Sequence, residues 1–331
     1  MSVRLSSTLA TILLAAPASL LSGVTLTANS TVLATVAAGQ DYACTLLVPA
    51  GQAAELSIVE KQALAGLVEV RAEDGTEVHA DLHLRSPSAK RLTLVSGRFE
   101  IRFVPANHSP MERIFELHSS EFHAATADDR SRAEAEKLLG EGEQEEKKFD
   151  PAAKDQALVK YEAALAVLKR LGDKLQQADT LRRMGAVRQL RQEMPKALDE
   201  FRQALDLSRA ANEPDGIGWA LIGIANVETD TGQARKGVQD ADEARAIMDS
   251  TRDLCGRAWA RLARGGSING SSDVDRERAN DMEALTLAQR AVRFLAQKLI
   301  LIGVRVIPNA CDQFQPVRKL HEVIVRAHAE G

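Results

Sequence analysis

Residues 195–207 read PKALDEFRQALDL, which places Ala197, Phe201 and Ala204 on one face of a helix at spacings of four and three. Forty residues earlier, DQALVKYEAALAVL at 155–168 carries Ala157, Tyr161 and Ala164 in the same order. Forty residues later, RKGVQDADEARAI at 235–247 carries Gly237, Ala241 and Ala244. The preceding helices keep the same step, since Gly185, Ala225 and Gly265 lie forty apart, as do Leu181 and Leu221. A period in this range marks stacked supersecondary units, each too small to bury its own apolar face. It predicts a solenoid with an extended binding surface, a scaffold before a catalyst.

Working outward, the pattern predicts helix pairs at 127–147 with 152–171, 174–191 with 194–211, and 214–231 with 234–250. A fourth pair begins near Asp253 and returns at 276–297, after the polar insert GGSINGSSDVDRER at 265–278. The GGSING part of that insert reads as a flexible turn between helices. Thr126 followed by Asp129 is a capping-box pattern that starts the first helix.

These residues resemble the tetratricopeptide repeat family. Its signature sets a small residue in the first helix of each pair against a small residue, an aromatic and an Ala in the second. Gly185, Ala197, Phe201 and Ala204 match it in one pair, and Gly142, Ala157, Tyr161 and Ala164 in the pair before. The resemblance implies close helix contacts at the small residues, with the aromatic filling the gap between successive pairs. Linkers such as RAANEPDGIGWAL lengthen the unit to forty residues, as in the longer-repeat branch of the family. The third and fourth units depart from the signature, and in the third Gly237 and Ala241 replace the expected Ala and aromatic.

The chain upstream is different in kind. From 24 to 123 it consists of short runs rich in Val, Thr, Leu and Ile, broken at Ala38-Gly39-Gln40 and at Pro49-Ala50-Gly51-Gln52. Asp74-Gly75 between alternating segments is a hairpin signal. Further strands are expected at 91–95, 98–104 and 113–118. About eight short strands predict an antiparallel β-sandwich or jelly roll. The fold class is therefore all-β followed by all-α, a sandwich at 24–123 and a tetratricopeptide-like α-α solenoid at 124–297. Residues 298–331 break the repeat pattern and form an atypical C-terminal segment or cap.

Residues 1–23 combine Arg4 with an apolar run to Leu21 and small residues at Ala16 and Ala18, the layout of a secretory signal peptide. Export to a periplasmic, envelope or extracellular location is expected if that segment is a signal, and a cytoplasmic location if it is not. No later segment has the length of a membrane span. A net charge of −4 and a pI near 6.0, with no basic run, argue against nucleic acid as a partner. Cys44, Cys255 and Cys311 are odd in number and far apart, which predicts buried thiols rather than a disulfide framework. His79 and His83 share a strand face but sit on the order of 13 Å apart, too far for one metal ion. They read as solvated, as do His108, His118 and His123.

The whole layout also resembles bacterial proteins in which such repeats precede a caspase-like CHAT protease domain, with a front domain of the pre-peptidase C-terminal type. That protease needs a His and a Cys held by a further α/β domain. Cys311 has no His before it between 124 and 320. No nucleophile elbow, zinc-protease, phosphate-loop or dinucleotide motif occurs, so neither enzymatic activity nor a cofactor or metal is expected. The expected function is a protein- or peptide-binding scaffold. By the family resemblance, contacts fall on the inner face of the leading helices, at Asp179, Arg182, Ala186 and Gln189, then Trp219, Ile222, Asn226 and Thr229. Arg182 and Asn226 would hold a peptide backbone or carboxylate, and Trp219 would supply an apolar anchor or pack between helices. Two rivals remain: a truncated relative of a repeat-plus-protease protein, and a carbohydrate-binding sandwich with the helices as spacer.

Overall fold

A computed structural model describes residues 24–36, 42–60, 67–73, 77–79, 90–104, 113–148, 150–251 and 253–268. The expected leader at 1–23, His83, His108, Asp74-Gly75, the return helix at 276–297, Cys311 and the segment 298–331 lie outside these residues. The chain divides into two compact units, Met1–Val167 and Leu168–Gly331.

Among the described residues the first unit opens with eight strands: β1 (Val24–Leu26), β2 (Ser30–Val36), β3 (Tyr42–Glu60), β4 (Leu67–Ala72), β5 (Glu77–His79), β6 (Lys90–Val104), β7 (Arg113–Ser119) and β8 (His123–Ala124). They are hydrogen-bonded in the order β2-β7-β3-β6-β4-β5, with β1 and β8 also on β3. The strands on either side of Asp74-Gly75 pair antiparallel, Val70 with His79 and Arg71 with Glu77.

Two sequence breaks turn out to be a corner. Pro49–Gln52 and the Ser96-Gly97 step do not end strands; β3 and β6 run through them, and the β3–β6 register shifts between Val48 and Ala53. Gly51 adopts φ +76°, Ser96 +37° and Gly97 +151°, conformations that break the pleat without breaking the pairing. Ser96 Oγ accepts the Gly51 N–H at 2.8 Å and so ties the two strands at the bend. Before the corner β3 pairs with β1 and β6, and after it with β7 and β6. Tyr42, Cys44, Leu46 and Val48 from one arm and Ala54, Leu56 and Ile58 from the other join the same core. The sheet therefore folds over itself into a sandwich whose layers share two bent strands. Phe103 packs between Tyr42 and Phe115, with ring centroids 5.4 and 4.3 Å away.

Helix α1 (Ala127–Lys147) starts at the expected capping box, Thr126 Oγ1 accepting from Asp129 N while the Asp129 carboxylate accepts from Thr126 N. β4 covers β6 only along Phe99–Val104, and no other strand among the described residues pairs with that edge beside Arg91–Val95. Helix α1 covers it: buried Glu136 accepts the Thr93 backbone N–H at 2.8 Å. Helix α2 (Pro151–Leu171) completes the first repeat, and a Cβ on Gly142 would stand 2.6 Å from the Tyr161 ring. The glycine is needed because the aromatic already occupies that space.

The second unit contains α3 (Lys174–Leu190), α4 (Met194–Ala210), α5 (Pro214–Asp230), α6 (Ala234–Ser250) and α7 (Leu254–Ile268). Gly172, Gln192, Asn212 and Gly232, twenty residues apart, take φ between 58° and 80° at the helix ends. In each case the next residue donates its N–H to the carbonyl five positions back, as Glu193 does to Arg188 at 2.9 Å. Seventeen-residue helices joined by these turns generate the forty-residue period. Asp173, Glu213 and Asp253 then accept backbone N–H groups at the next helix start.

The Phe201 ring fills the space between Gly185 of α3 and Gly223 of α5; an added Cβ would lie 3.0 and 2.5 Å from it. In the third repeat Ala241 leaves no ring at that level. Met248, two turns further along α6 and fully buried, packs between Gly218 of α5 and Gly256 of α7 instead. One expectation is corrected here: Gly265 and Gly266 do not form a turn but lie inside α7, which continues to Ile268. Nothing in the φ values of either glycine departs from helix, and an Ala Cβ at Gly266 would meet open space.

A candidate binding face on the leading helices

Helices α3, α5 and α7 are the leading helices of successive repeats and pack side by side. The forty-residue step places Asp179, Trp219 and Trp259 at corresponding positions on them. Both tryptophans are half-buried. Trp259 was missed in the sequence reading, although its distance from Trp219 is the repeat period itself.

Asp179, Arg182 and Trp219 are brought together. Arg182 donates to Asp179 Oδ1 at 2.6 Å, and Arg183 donates to Asp179 Oδ2 at 3.0 Å. The Arg182 guanidinium stands 6.0 Å from the centre of the Trp219 ring, at the outer limit of a cation–π contact. Trp219 Nε1 donates to Asp253 Oδ2 at 2.8 Å, which fixes the indole plane. Both readings of Trp219 therefore have a physical basis: its N–H is spent inside the fold, while part of its ring remains accessible. Arg182 commits one arm to Asp179, and a guanidinium carries five N–H donors.

Asn226 stands apart from this cluster. It is half-buried on α5, and its side-chain amide has no hydrogen-bond partner among the described residues. Gln189 donates to Asp230 at 2.9 Å, and Thr229 donates to the Ala225 carbonyl at 2.7 Å, so both already have partners. Ile222 is buried and belongs to the core. Beneath the face, burial pushes the Glu213 carboxyl above its ordinary range, aided by Asp215 and Asp179 and opposed by the Gly216 N–H it accepts.

Elsewhere among the described residues the chemistry is sparse. Buried Cys44 has its thiol pushed up to about 12 by burial, which makes it unreactive. His118 lies 3.0 Å from Thr31 Oγ1, and His123 lies 3.1 Å from the Asp129 carboxylate. No group of three His, Cys, Asp or Glu among the described residues is placed to hold a metal ion. No helix among them is long and apolar enough to cross a membrane. Between β6 and α1 an open cleft of about 230 Å³ is lined by Phe99, Arg130, Glu134 and Lys137, below the size of ordinary small-molecule pockets. Tyr42, Phe103 and Phe115 of the sheet are buried and offer no face to a sugar ring.

No family model matches the chain, and no curated protein matches it. Among solved structures it is similar to the nearly identical TPR-like repeats of a putative kinesin light chain from Podospora anserina, at 10% identity and a TM-score of 0.38, covering 51% of this chain and 81% of that one. It is also similar to aspartyl phosphate phosphatase F from Bacillus subtilis, at 12% identity and a TM-score of 0.43, covering 62% of this chain and 49% of that one. The chain is also similar to the pre-peptidase C-terminal domain of a Bacillus anthracis collagenase, at 10% identity and a TM-score of 0.24, covering 30% of this chain and 94% of that one.

Proposed function

We propose that this protein is a non-catalytic scaffold whose helical repeats receive an extended peptide or protein segment along α3, α5 and α7. The observation that carries the reading is Asn226: a half-buried amide with no partner among the described residues, on the same helix as Trp219. An amide offers both a donor and an acceptor, which matches the alternation of C=O and N–H along an extended backbone. Arg182, oriented by Asp179, adds donors for a carbonyl or carboxylate one helix away. The exposed part of Trp219 supplies apolar area beside them.

The test is selection of peptides from a displayed library against the full chain, followed by affinity measurement on Asn226→Ala and Arg182→Ala. Each substitution is expected to weaken binding about tenfold or more, on the scale of one lost directed hydrogen bond. Unchanged affinity in both overturns the reading. Export is proposed on the Arg4-plus-apolar N-terminus, and N-terminal sequencing of the mature protein after expression in a host with signal peptidase tests it; an intact Met1 counts against it.

A further inference from the structure

The forty-residue step carries a reversal of charge at one interhelix contact. In the second repeat Arg188 of α3 donates to Glu200 of α4 at 2.6 Å and to Glu193 at 3.0 Å. Forty residues on, the same two positions are Glu228 of α5 and Asp240 of α6. The cation has become an acid, while the position across from it keeps an acid.

Glu228 is 2% exposed, and its Oε2 has no hydrogen-bond partner. The charged groups that act on it are Arg202 of α4, at 3.7 Å and itself largely in solvent, and Lys236 and Asp240 of α6. The arginines of α7 are occupied elsewhere, Arg257 and Arg261 by Asp249 and Arg264 by Asp242. Arg188 on α3 is held by its own two glutamates. Two ionised carboxylates in this setting repel at close range and lose hydration, whereas an acid and a carboxylate form one strong O–H···O bond. We propose that Glu228 and Asp240 share a single proton across the α5–α6 contact, and that its release loosens α6, making this repeat a pH-responsive joint in the array.

Burial, reinforced by Asp240, pushes the Glu228 carboxyl up to about 7, against the pull of Lys236 and Arg202. An unfolded chain returns it to about 4.3. The native state therefore holds the extra proton between these values. Its stabilisation is complete below the lower one and is lost as pH rises through the upper one.

The test is the pH dependence of urea unfolding of the full chain from pH 4.5 to 8.5, for the wild type and Glu228→Gln. One linked proton makes the folded-to-unfolded ratio fall about tenfold per pH unit within the window. Glu228→Gln, which keeps an N–H donor for Asp240 without a charge, is expected to lose that slope, and Asp240→Asn to reduce it. Amide exchange in α6, corrected for intrinsic rate, should accelerate between pH 6 and 8 in the wild type and not in Glu228→Gln. Parallel profiles in wild type and variants overturn the proposal. Should neither variant fold, carboxyl carbon titration of wild-type Glu228 decides it: a midpoint near 7 supports the shared proton, and one in the ordinary carboxylate range overturns it.

Discussion

Trp219 of α5 donates its indole N–H to the Asp253 carboxylate at 2.8 Å, so the side chain on the candidate face is anchored by the residue that begins α7. The other oxygen of Asp253 accepts the Gly256 N–H at 2.9 Å. One buried carboxylate thus caps a helix and orients an aromatic on its neighbour.

Asp253→Ala removes both bonds and is expected to destabilise the protein by about 2 kcal/mol, roughly half from the cap and half from the indole partner. Asp253→Asn keeps an acceptor and should cost less. Urea midpoints for the two variants check the order, and equal midpoints would refute it.

Gly223→Ala places a methyl group 2.5 Å from the Phe201 ring, and Gly142→Ala places one 2.6 Å from Tyr161. Each is expected to cost about 1–3 kcal/mol through displaced rings. Gly266→Ala, which meets open space within α7, should instead gain about 0.5–1 kcal/mol. Thermal melts of the three variants should move in these opposite directions.

Tyr42 is buried at 1% exposure and its hydroxyl has no hydrogen-bond partner. Burial, with the Cys44 thiol beside it, raises its ionisation well beyond the ordinary tyrosine range. Tyr42→Phe deletes an unsatisfied polar atom and keeps the ring against Phe103, so stability should be unchanged or higher by about 1 kcal/mol. A loss of more than that would reveal a partner for the hydroxyl.

Glu136→Ala strips the Thr93 N–H of its acceptor on the stretch of β6 beside α1 and should cost about 2 kcal/mol. Exchange at the Thr93 amide should quicken more than at Leu92 or Leu94. Glu136→Gln, retaining a carbonyl acceptor, should recover most of the protection.

Helices α1 to α6 were legible almost to the residue. Their period is written locally, in positive-φ turn residues such as Asn212, in acids at the helix starts and in Pro214, and local chemistry does not depend on the rest of the fold. The β half was legible as strands but not as a corner, because Gly51 and Ser96-Gly97 look like turns until β3 and β6 are seen bending together. Asp179, Arg182 and Trp219 were placed on one face by the family resemblance, and in the structure Arg182 bonds Asp179 and stands 6.0 Å from the centre of the Trp219 ring. Asp253, Glu228 and Asp240 were not singled out, since their roles come from groups on neighbouring helices. Gly265-Gly266 misled because glycine composition was read as a turn while the helix simply passes through.

The exchange of the Phe201 ring for Met248, two turns along, means that the junctions of this array are keyed at different heights. Its repeats are not interchangeable parts. A chain rebuilt from copies of the third repeat would need the Gly218 and Gly256 recesses at every seam, while copies of the second would need Gly185 and Gly223. Shuffling units in phase with the forty-residue period would set keys against filled locks. Order along the chain is thereby enforced by shape, and each repeat accepts only its own neighbours.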